Sequence, residues 1–465
     1  MYDTIIIGAG PGGYLAAERL GHEKKKVLLI EEQYLGGTCL NVGCIPTKTL
    51  LNSAKLYVHA KEAGKFGVNA KDVSFDWGII QKWKDEVSAK MREGIGKQMK
   101  RIGVEVAVGR GEIIAPPRGT SPGKVKVTLS AGGTGDHEAR TILVSTGSVP
   151  AIPPIPGSKD NRHVVDSTGL LSIAAVPKRL TVIGGGVIGV EFAGLFSSLG
   201  AEVTVIEMME EIIPFMDKDQ APLLRGAMKG VTFKLGCKVE KIEGATVHFT
   251  TKAGAAEKVD ADLVLVAVGR RPVLTGWGAE AAGLDITPKG VNVDDRMRTN
   301  VPGIWAAGDV TGKSLLAHSA YRMAEVAVAD ILTSLGGTGS ITNKMRYNAV
   351  PWAVYGVTEA AGVGMTEQEA ASKGIAILKA SAPMWASGRF VAENTFTGPG
   401  EVKVIADASS RRILGVHAVG AYASEFIWGG AVLIEQELRI EDVKQLIFPH
   451  PTVSELIREA VWSIK

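Results

Sequence analysis

The 465-residue sequence predicts an α/β protein of two doubly wound domains, each built on a parallel sheet, followed by a C-terminal α+β domain. Three observations lead there. A unit of apolar strand, glycine-rich turn, helix, second strand and terminal acid begins at Tyr2. The same unit recurs at an offset of 176 residues, which separates Gly8 from Gly184 and equally Glu31 from Glu207. From about Tyr347 the pattern changes to alternating strands such as Val402 to Ile405 and Leu414 to Val419, then helices to Lys465.

Taken in order, Tyr2-Asp3-Thr4-Ile5-Ile6-Ile7 is a short apolar run rich in β-branched residues and ended by glycine, the pattern of a strand buried in a parallel sheet. It feeds Gly8-Ala9-Gly10-Pro11-Gly12-Gly13, a helix through Leu20, and the strand Val27-Leu28-Leu29-Ile30 ending at Glu31. Gly8, Gly10 and Gly13 permit a tight turn, the approach of backbone to a pyrophosphate, and close helix packing, while the helix N-terminus attracts the anion. Glu31 stands where an acid accepts ribose hydroxyls. The second unit repeats this with Leu180 to Ile183, the glycines Gly184, Gly186 and Gly189, and Val203 to Ile206 ending at Glu207. Two Rossmann-like units imply two bound dinucleotides.

Two of the three cysteines lie in Leu35-Gly36-Gly37-Thr38-Cys39-Leu40-Asn41-Val42-Gly43-Cys44-Ile45-Pro46-Thr47-Lys48. Residues five apart on an ideal helix point roughly 140° away from each other, so a bridge between Cys39 and Cys44 needs a distorted turn, for which Gly43 and Pro46 are candidates. Spacing alone leaves open two buried thiols, half a zinc site or a redox pair. Further on, Phe75 to Arg101 predicts a long helix packing through Ile80, Trp83, Val87, Met91 and Ile95. Val125 to Leu129 and Thr141 to Val144 follow as strands separated by the turn-rich Ala131 to Gly135, and the prolines of Pro150 to Gly157 mark a linker. Leu263 to Val268 and Gly303 to Ala307 read as strands ended by Gly269-Arg270-Arg271-Pro272 and Gly308-Asp309. Asp309 by itself is a turn residue after a strand.

Near the C-terminus, proline flanks His450 on both sides and Glu455 opens an apparent helix. An isolated histidine is commonly structural. A carboxylate on one imidazole nitrogen, however, fixes the tautomer and raises the basicity of the other, which suits a base that deprotonates a thiol. Net charge of +3 gives no argument for nucleic acid, and Lys24-Lys25-Lys26 is the solvated end of a helix or turn. No apolar run reaches membrane-span length, and the first strand begins almost at Met1, leaving no room for a targeting peptide. Three cysteines exclude a secreted disulfide framework, so the cytoplasm is the expected location. Cys237, outside every motif, is expected to be a buried small hydrophobe.

With the cysteine stretch, both glycine fingerprints, Gly308-Asp309 and His450-Pro451-Thr452-Val453-Ser454-Glu455 together, the chain resembles the pyridine nucleotide-disulfide oxidoreductases of class I, most of all their dihydrolipoamide-oxidising branch. The likeness covers essentially the whole length. It implies an FAD-binding domain at 1–149, an NAD-binding domain at 150–272, a central domain completing the FAD site at 273–341 and a dimerisation domain at 342–465. Cys39 and Cys44 would form the redox disulfide against the flavin, with Lys48 beside it and close to Glu191, and Asp309 on the ribityl chain. Gly36, Thr38, Gly111, Ser145, Thr146, Gly147, Leu315, Leu316, Ala317 and His318 would be further FAD contacts, and Val239 and Gly269 contacts of NAD. His450, oriented by Glu455, would reach the disulfide of the partner in a homodimer. The implied reaction oxidises dihydrolipoamide through Cys39, the interchange sulfur, and passes electrons through FAD to NAD.

The chain starts at the FAD strand without a lipoyl domain, so the substrate would be a lipoyl group on another protein, an acyltransferase E2 or a glycine cleavage H protein. Two positions depart from the family pattern: Tyr355 to Glu359 lacks the usual proline, and Phe448 replaces a second histidine. An NADPH-dependent reductase of a glutathione-like disulfide is disfavoured because Glu207-Met208-Met209-Glu210-Glu211 would repel a 2′-phosphate. A noncatalytic FAD-containing docking subunit is disfavoured by the intact Cys39, Cys44 and His450.

Overall fold

Strand Tyr2–Ile7 pairs in parallel with Val27–Glu31 on one side and with Thr134–Val144 on the other. Glu105–Ala115 extends the sheet beyond the first neighbour and Ile304–Ala306 beyond the second, again in parallel. The second unit repeats this order. Arg179–Ile183 lies between Glu202–Ile206 and Leu263–Val266, with Val231–Lys234 and Val164–Val165 outermost. The central strands of both sheets are buried almost throughout, which is why they read as continuous apolar runs. The computed structural model describes residues 1–337 and 344–465, so the boundary expected at 341/342 lies outside the described residues.

Contacts divide the chain into two compact units, Met1–Thr49 with Gln81–Ala151 and Arg270–Met345, and Leu50–Ile80 with Ile152–Gly269 and Arg346–Lys465. In the first, a long antiparallel meander of Glu105–Ala115, Gly123–Leu129 and Thr134–Val144 grows out of the parallel sheet. The turn expected over Ala131 to Gly135 is therefore shorter, because Thr134 and Gly135 already pair with Thr128 and Val127. In the second, Lys238–Glu243, Thr246–Thr250 and Ala256–Asp260 form an antiparallel appendage whose core includes the buried Cys237. Five antiparallel strands, in the order Trp352–Val354, Ala360–Gly364, Ile413–Val419, Glu401–Asp407 and Ile377–Pro383, complete that unit. Helices Ala423–Glu435 and Glu455–Ser463 cover this sheet over a core that includes Val404, Val416, Phe426 and Leu456. Phe448 packs against the same core, and Glu359 accepts hydrogen bonds from the Ser424 N–H (3.1 Å) and hydroxyl (2.7 Å).

The long helix forms over Trp77–Arg101, but its buried face is only partly the expected one: Ile80, Val87 and Ile95 are half-buried, with Ile80 packed against a core cluster. Trp83 and Met91 are 53% and 46% exposed, whereas Trp77, Lys84, Ser88 and Met99 are buried. Lys84 and Ser88 are each one position, about 100° of helix rotation, from Trp83 and Val87. The neighbours rotated the buried face away from part of the apolar stripe.

Candidate active site

The two glycine turns are braced by their own acids, and identically. Each acid stands at the end of its second strand. One Glu31 oxygen accepts the Ala9 N–H at 2.7 Å and the other the Gln33 N–H at 2.8 Å. Glu207 accepts from Gly185 (2.5 Å) and Met209 (2.7 Å), the positions displaced by the repeat offset. Gly8 and Gly184 likewise donate to Ile30 and Ile206. Oε1 of Glu31 also accepts the Tyr34 N–H at 3.2 Å, so Oε2 of Glu31 and both oxygens of Glu207 are the ones that keep a lone pair for a ribose hydroxyl.

Within each fingerprint the glycines have different reasons. A Cβ on Gly8 would lie 2.2 Å from the Ser145 carbonyl oxygen, and one on Gly13 1.8 Å from that of Gly8. Gly184 and Gly189 are closed off in the same way, by Ala267 and Gly184. A Cβ on the middle glycines, Gly10 and Gly186, would meet nothing within 4 Å, and the same holds at Gly147 and Gly269. The middle glycines are also the N-caps of helices α1 (Pro11–His22) and Val187–Ser198, and no side chain caps either helix. Open space before an uncapped helix N-terminus fits a pyrophosphate, so both units fit a dinucleotide. This yields a test. Gly186→Ala should leave the thermal midpoint near that of wild type while weakening nicotinamide dinucleotide binding. Gly189→Ala should destabilise the fold by about 1–3 kcal/mol, as overpacking does. Equal loss of stability in both variants would remove the distinction.

Cys39 lies in a short helix, α2 (Gly37–Val42), and Cys44 opens the next, α3 (Cys44–Glu62). The break between them is at Gly43 (φ −148°, ψ −113°), where a Cβ would come within 2.9 Å of the Thr38 carbonyl oxygen. Pro46, the other expected source of distortion, sits inside the first turn of α3, where a missing N–H costs nothing. The break turns the two sulfurs together: they are thiols hydrogen-bonded to each other. That bond, then burial, pushes the Cys39 thiol far up, against the pull of the Lys48 ammonium. Lys48 follows Cys44 by one helical turn. The Gly36 N–H donates to the Ala9 carbonyl (2.8 Å), tying this stretch to the first glycine turn.

Asp309 opens a single 3-10 turn after strand Ile304–Ala306 and accepts the Ser148 hydroxyl at 2.6 Å. Burial pushes its carboxyl up, with Ser148 and Arg270 opposing. Arg270 donates to the Ser148 Oγ (2.8 Å), the Ser148 carbonyl (2.7 Å) and the Thr38 hydroxyl (3.4 Å). A chain Thr38–Arg270–Ser148–Asp309 thus runs from the cysteine helix to the acid. Sequence reading missed Arg270 and Ser148 as site residues. The only local signal was a charged pair directly after Gly269.

The other expected contacts fall in several places. Ser145, Thr146 and Gly147 follow strand Thr134–Val144, with the Thr146 hydroxyl on the Val273 carbonyl at 3.1 Å. Leu315 and Leu316 precede, and Ala317 and His318 begin, the helix Ala317–Ser334, which packs along Pro11–His22. Gly111 lies under Ile30, where an added Cβ would come within 3.0 Å of its Cδ1, so packing alone accounts for that glycine. Val239 packs in the core of the antiparallel appendage. Glu191 is buried in helix Val187–Ser198 and accepts the Tyr355 N–H at 3.1 Å.

His450 is held by a carboxylate, as its spacing suggested. Its Nδ1 lies 3.0 and 3.3 Å from the two oxygens of Glu455, first residue of helix Glu455–Ser463. The Thr452 N–H donates to the same carboxylate at 2.8 Å. Burial raises the Glu455 carboxyl, but Thr452 and His450 outweigh it and hold the group below its ordinary value. An ionised carboxylate only accepts, so Nδ1 carries the hydrogen and Nε2 presents its lone pair. The imidazole side chain is 79% exposed.

Residues 2–324 match the family described as pyridine nucleotide-disulphide oxidoreductase, and residues 350–461 its dimerisation domain. Dihydrolipoyl dehydrogenase 3 of Pseudomonas putida is 38% identical over 474 aligned positions, covering 100% of this chain and 98% of that protein. Among solved structures, LpdA of Mycobacterium tuberculosis superposes with a TM-score of 0.88 at 28% identity, over 99% of each chain. RclA of Escherichia coli, an HOCl-induced flavoprotein disulfide reductase, does so with 0.84 at 29% identity over 100% of each. With a dithiol, two dinucleotide turns and a carboxylate-held histidine in one chain, and matches along its whole length, the protein belongs to the pyridine nucleotide-disulphide oxidoreductase family.

Proposed function

We propose that the protein is an NAD-dependent dihydrolipoyl dehydrogenase that oxidises dihydrolipoamide carried on lipoyl-bearing proteins, an acyltransferase E2 or a glycine cleavage H protein. The observation that carries this reading is the exposed His450 with its Nδ1 fixed by Glu455, alongside the hydrogen-bonded thiols of Cys39 and Cys44. We assign FAD to 1–149 completed by 273–341, NAD to 150–272 and dimer contacts to 342–465. His450 of one protomer then serves the cysteine pair of the other, in the cytoplasm, where a redox pair is reduced and reoxidised in turn.

Nε2 of His450 takes a proton from a substrate thiol, and Glu455 stabilises the imidazolium. The thiolate attacks Sγ of Cys39. The Cys39–Cys44 bond breaks, and Cys44 leaves with the electron pair. The second substrate thiol then forms the product disulfide and expels Cys39 with the electron pair of the broken bond, and the proton of that thiol passes by way of His450 to the expelled sulfur. Bound FAD supplies the route from the dithiol to the nicotinamide. Glu207 meets the ribose hydroxyls as acceptor and a 2′-phosphate as a like charge, favouring NAD over NADP on the order of a hundredfold.

Steady-state turnover tests the whole reading. Dihydrolipoamide with NAD⁺ should give high kcat/KM, and glutathione disulfide with NADPH should give little. Comparable values for the two pairs, or preference for the second, would place the protein among the general disulfide reductases instead.

A further inference from the structure

Two tyrosines outside every sequence motif meet beside the cysteine helix. Tyr14, one turn into helix Pro11–His22, and Tyr321, on the helix packed along it, hydrogen-bond phenol to phenol. Their rings stand edge to face with centroids 5.9 Å apart and planes at 72°. The N-terminus of α2 abuts the N-terminus of Tyr14's helix: a Cβ on Gly37 would fall 2.6 Å from the Gly10 Cα, and the Tyr14 N–H donates to the Gly10 carbonyl at 3.0 Å. Cys39 is two residues beyond Gly37. Burial is the main reason both phenols titrate above their ordinary value. Negative charge on Cys39 raises both further, and charge on Cys44 also raises Tyr321, as expected of phenols close to these sulfurs.

Two phenols bring two O–H groups, and the bond between them uses one. The other hydrogen has no protein acceptor among the described residues. A spare donor at this place costs desolvation unless something accepts it.

We propose that the Tyr14–Tyr321 pair donates a hydrogen bond to the Cys39 sulfur when that sulfur becomes a thiolate, and so positions and stabilises the interchange cysteine. The proposal rests on the reading of Cys39 and Cys44 as the redox pair and deepens it. When the product disulfide forms, the bond between Cys39 Sγ and the substrate sulfur breaks and its electron pair stays on Cys39. The spare hydrogen of the phenol pair then has a charged acceptor. Both phenols are too weakly acidic to ionise near neutrality, so the contact is a hydrogen bond to the leaving sulfur without proton transfer, and His450 still moves the proton. A hydrogen bond to a charged acceptor is among the stronger ones, and its loss should change a rate or an ionisation about tenfold.

The test uses holoenzyme reduced with one equivalent of dithionite, then alkylated at Cys39 by iodoacetamide across a pH series. In Tyr321→Phe or Tyr14→Phe, the midpoint of alkylation should rise by about one pH unit, because a thiolate without its donor is harder to form. Reduction of the oxidised enzyme by dihydrolipoamide should slow about tenfold. FAD content and thermal midpoint report whether each variant is folded. A shift in one variant alone supports the proposal and identifies the phenol that holds the spare hydrogen. Unmoved alkylation midpoints in both FAD-loaded variants overturn it. If wild type fails to oxidise dihydrolipoamide yet the midpoints shift, the substrate assignment falls and the phenol pair stands. Normal turnover with unmoved midpoints gives the reverse.

Discussion

His450→Gln should slow reduction of the enzyme by dihydrolipoamide by roughly 10²- to 10⁴-fold, the usual cost of removing a positioned base. Stopped-flow mixing under anaerobic conditions reads this half-reaction directly. Glu455→Gln should cost less, since Nε2 remains while the partner that fixes Nδ1 becomes neutral. Hydride exchange between NADH and an artificial acceptor needs no thiol deprotonation, so its loss in step with the lipoamide half-reaction, in a variant that keeps FAD, would make His450 structural. The pH dependence has a definite sign. Because the Glu455 carboxyl is held below its ordinary value, the clasp on His450 is fully formed above the usual carboxylate range and is lost as pH falls through the lowered value. Glu455 should therefore still orient the ring of His450 well into mild acid, so the difference between wild type and Glu455→Gln in this half-reaction should persist there.

Cys39→Ser and Cys44→Ser should each abolish dihydrolipoamide turnover, because exchange through a disulfide needs both sulfurs. Their spectra should differ. If Cys39 faces the substrate and Cys44 the flavin, the thiolate that the flavin senses is on Cys44, and the bond to Cys44 and then burial push the Cys39 thiol up. A thiolate beside oxidised flavin gives a long-wavelength absorbance band. It should survive in Cys39→Ser and vanish in Cys44→Ser. The opposite assignment of the band would exchange the roles of the two cysteines, and would also remove the reason for placing the tyrosine pair's donor at Cys39.

Several elements of the site were legible because their causes are local. Gly13 and Gly189 are dictated by the carbonyls of Gly8 and Gly184 in the same turn, and the same acid braces each turn at the same offset, whereas Gly8 and Gly184 are closed off by Ser145 and Ala267 at the ends of distant strands. The break between Cys39 and Cys44 followed from helix geometry, although Gly43 alone makes it and Pro46 takes an ordinary place in the first turn of α3. His450 and Glu455 are five residues apart, a distance one bend of backbone closes.

What the sequence by itself determined, then, is what the backbone decides over short spans: two dinucleotide-type turns, a broken cysteine stretch, a carboxylate-held histidine and the central strands of both parallel sheets. Tertiary structure alone decided which distant groups complete them. Arg270 reaches Ser148 across 122 residues and Thr38 across 232, and Ser148 reaches Asp309 across 161. Tyr14 meets Tyr321 across 307 residues because two helices pack side by side. The long helix turned Lys84 and Ser88 inward and left Trp83 and Met91 outside, against its own apolar stripe. The physical reason is common to all of these. Local steric and hydrogen-bond rules act on neighbours in sequence, whereas burial rewards whatever surfaces the fold brings together, and no local pattern encodes which surfaces those are.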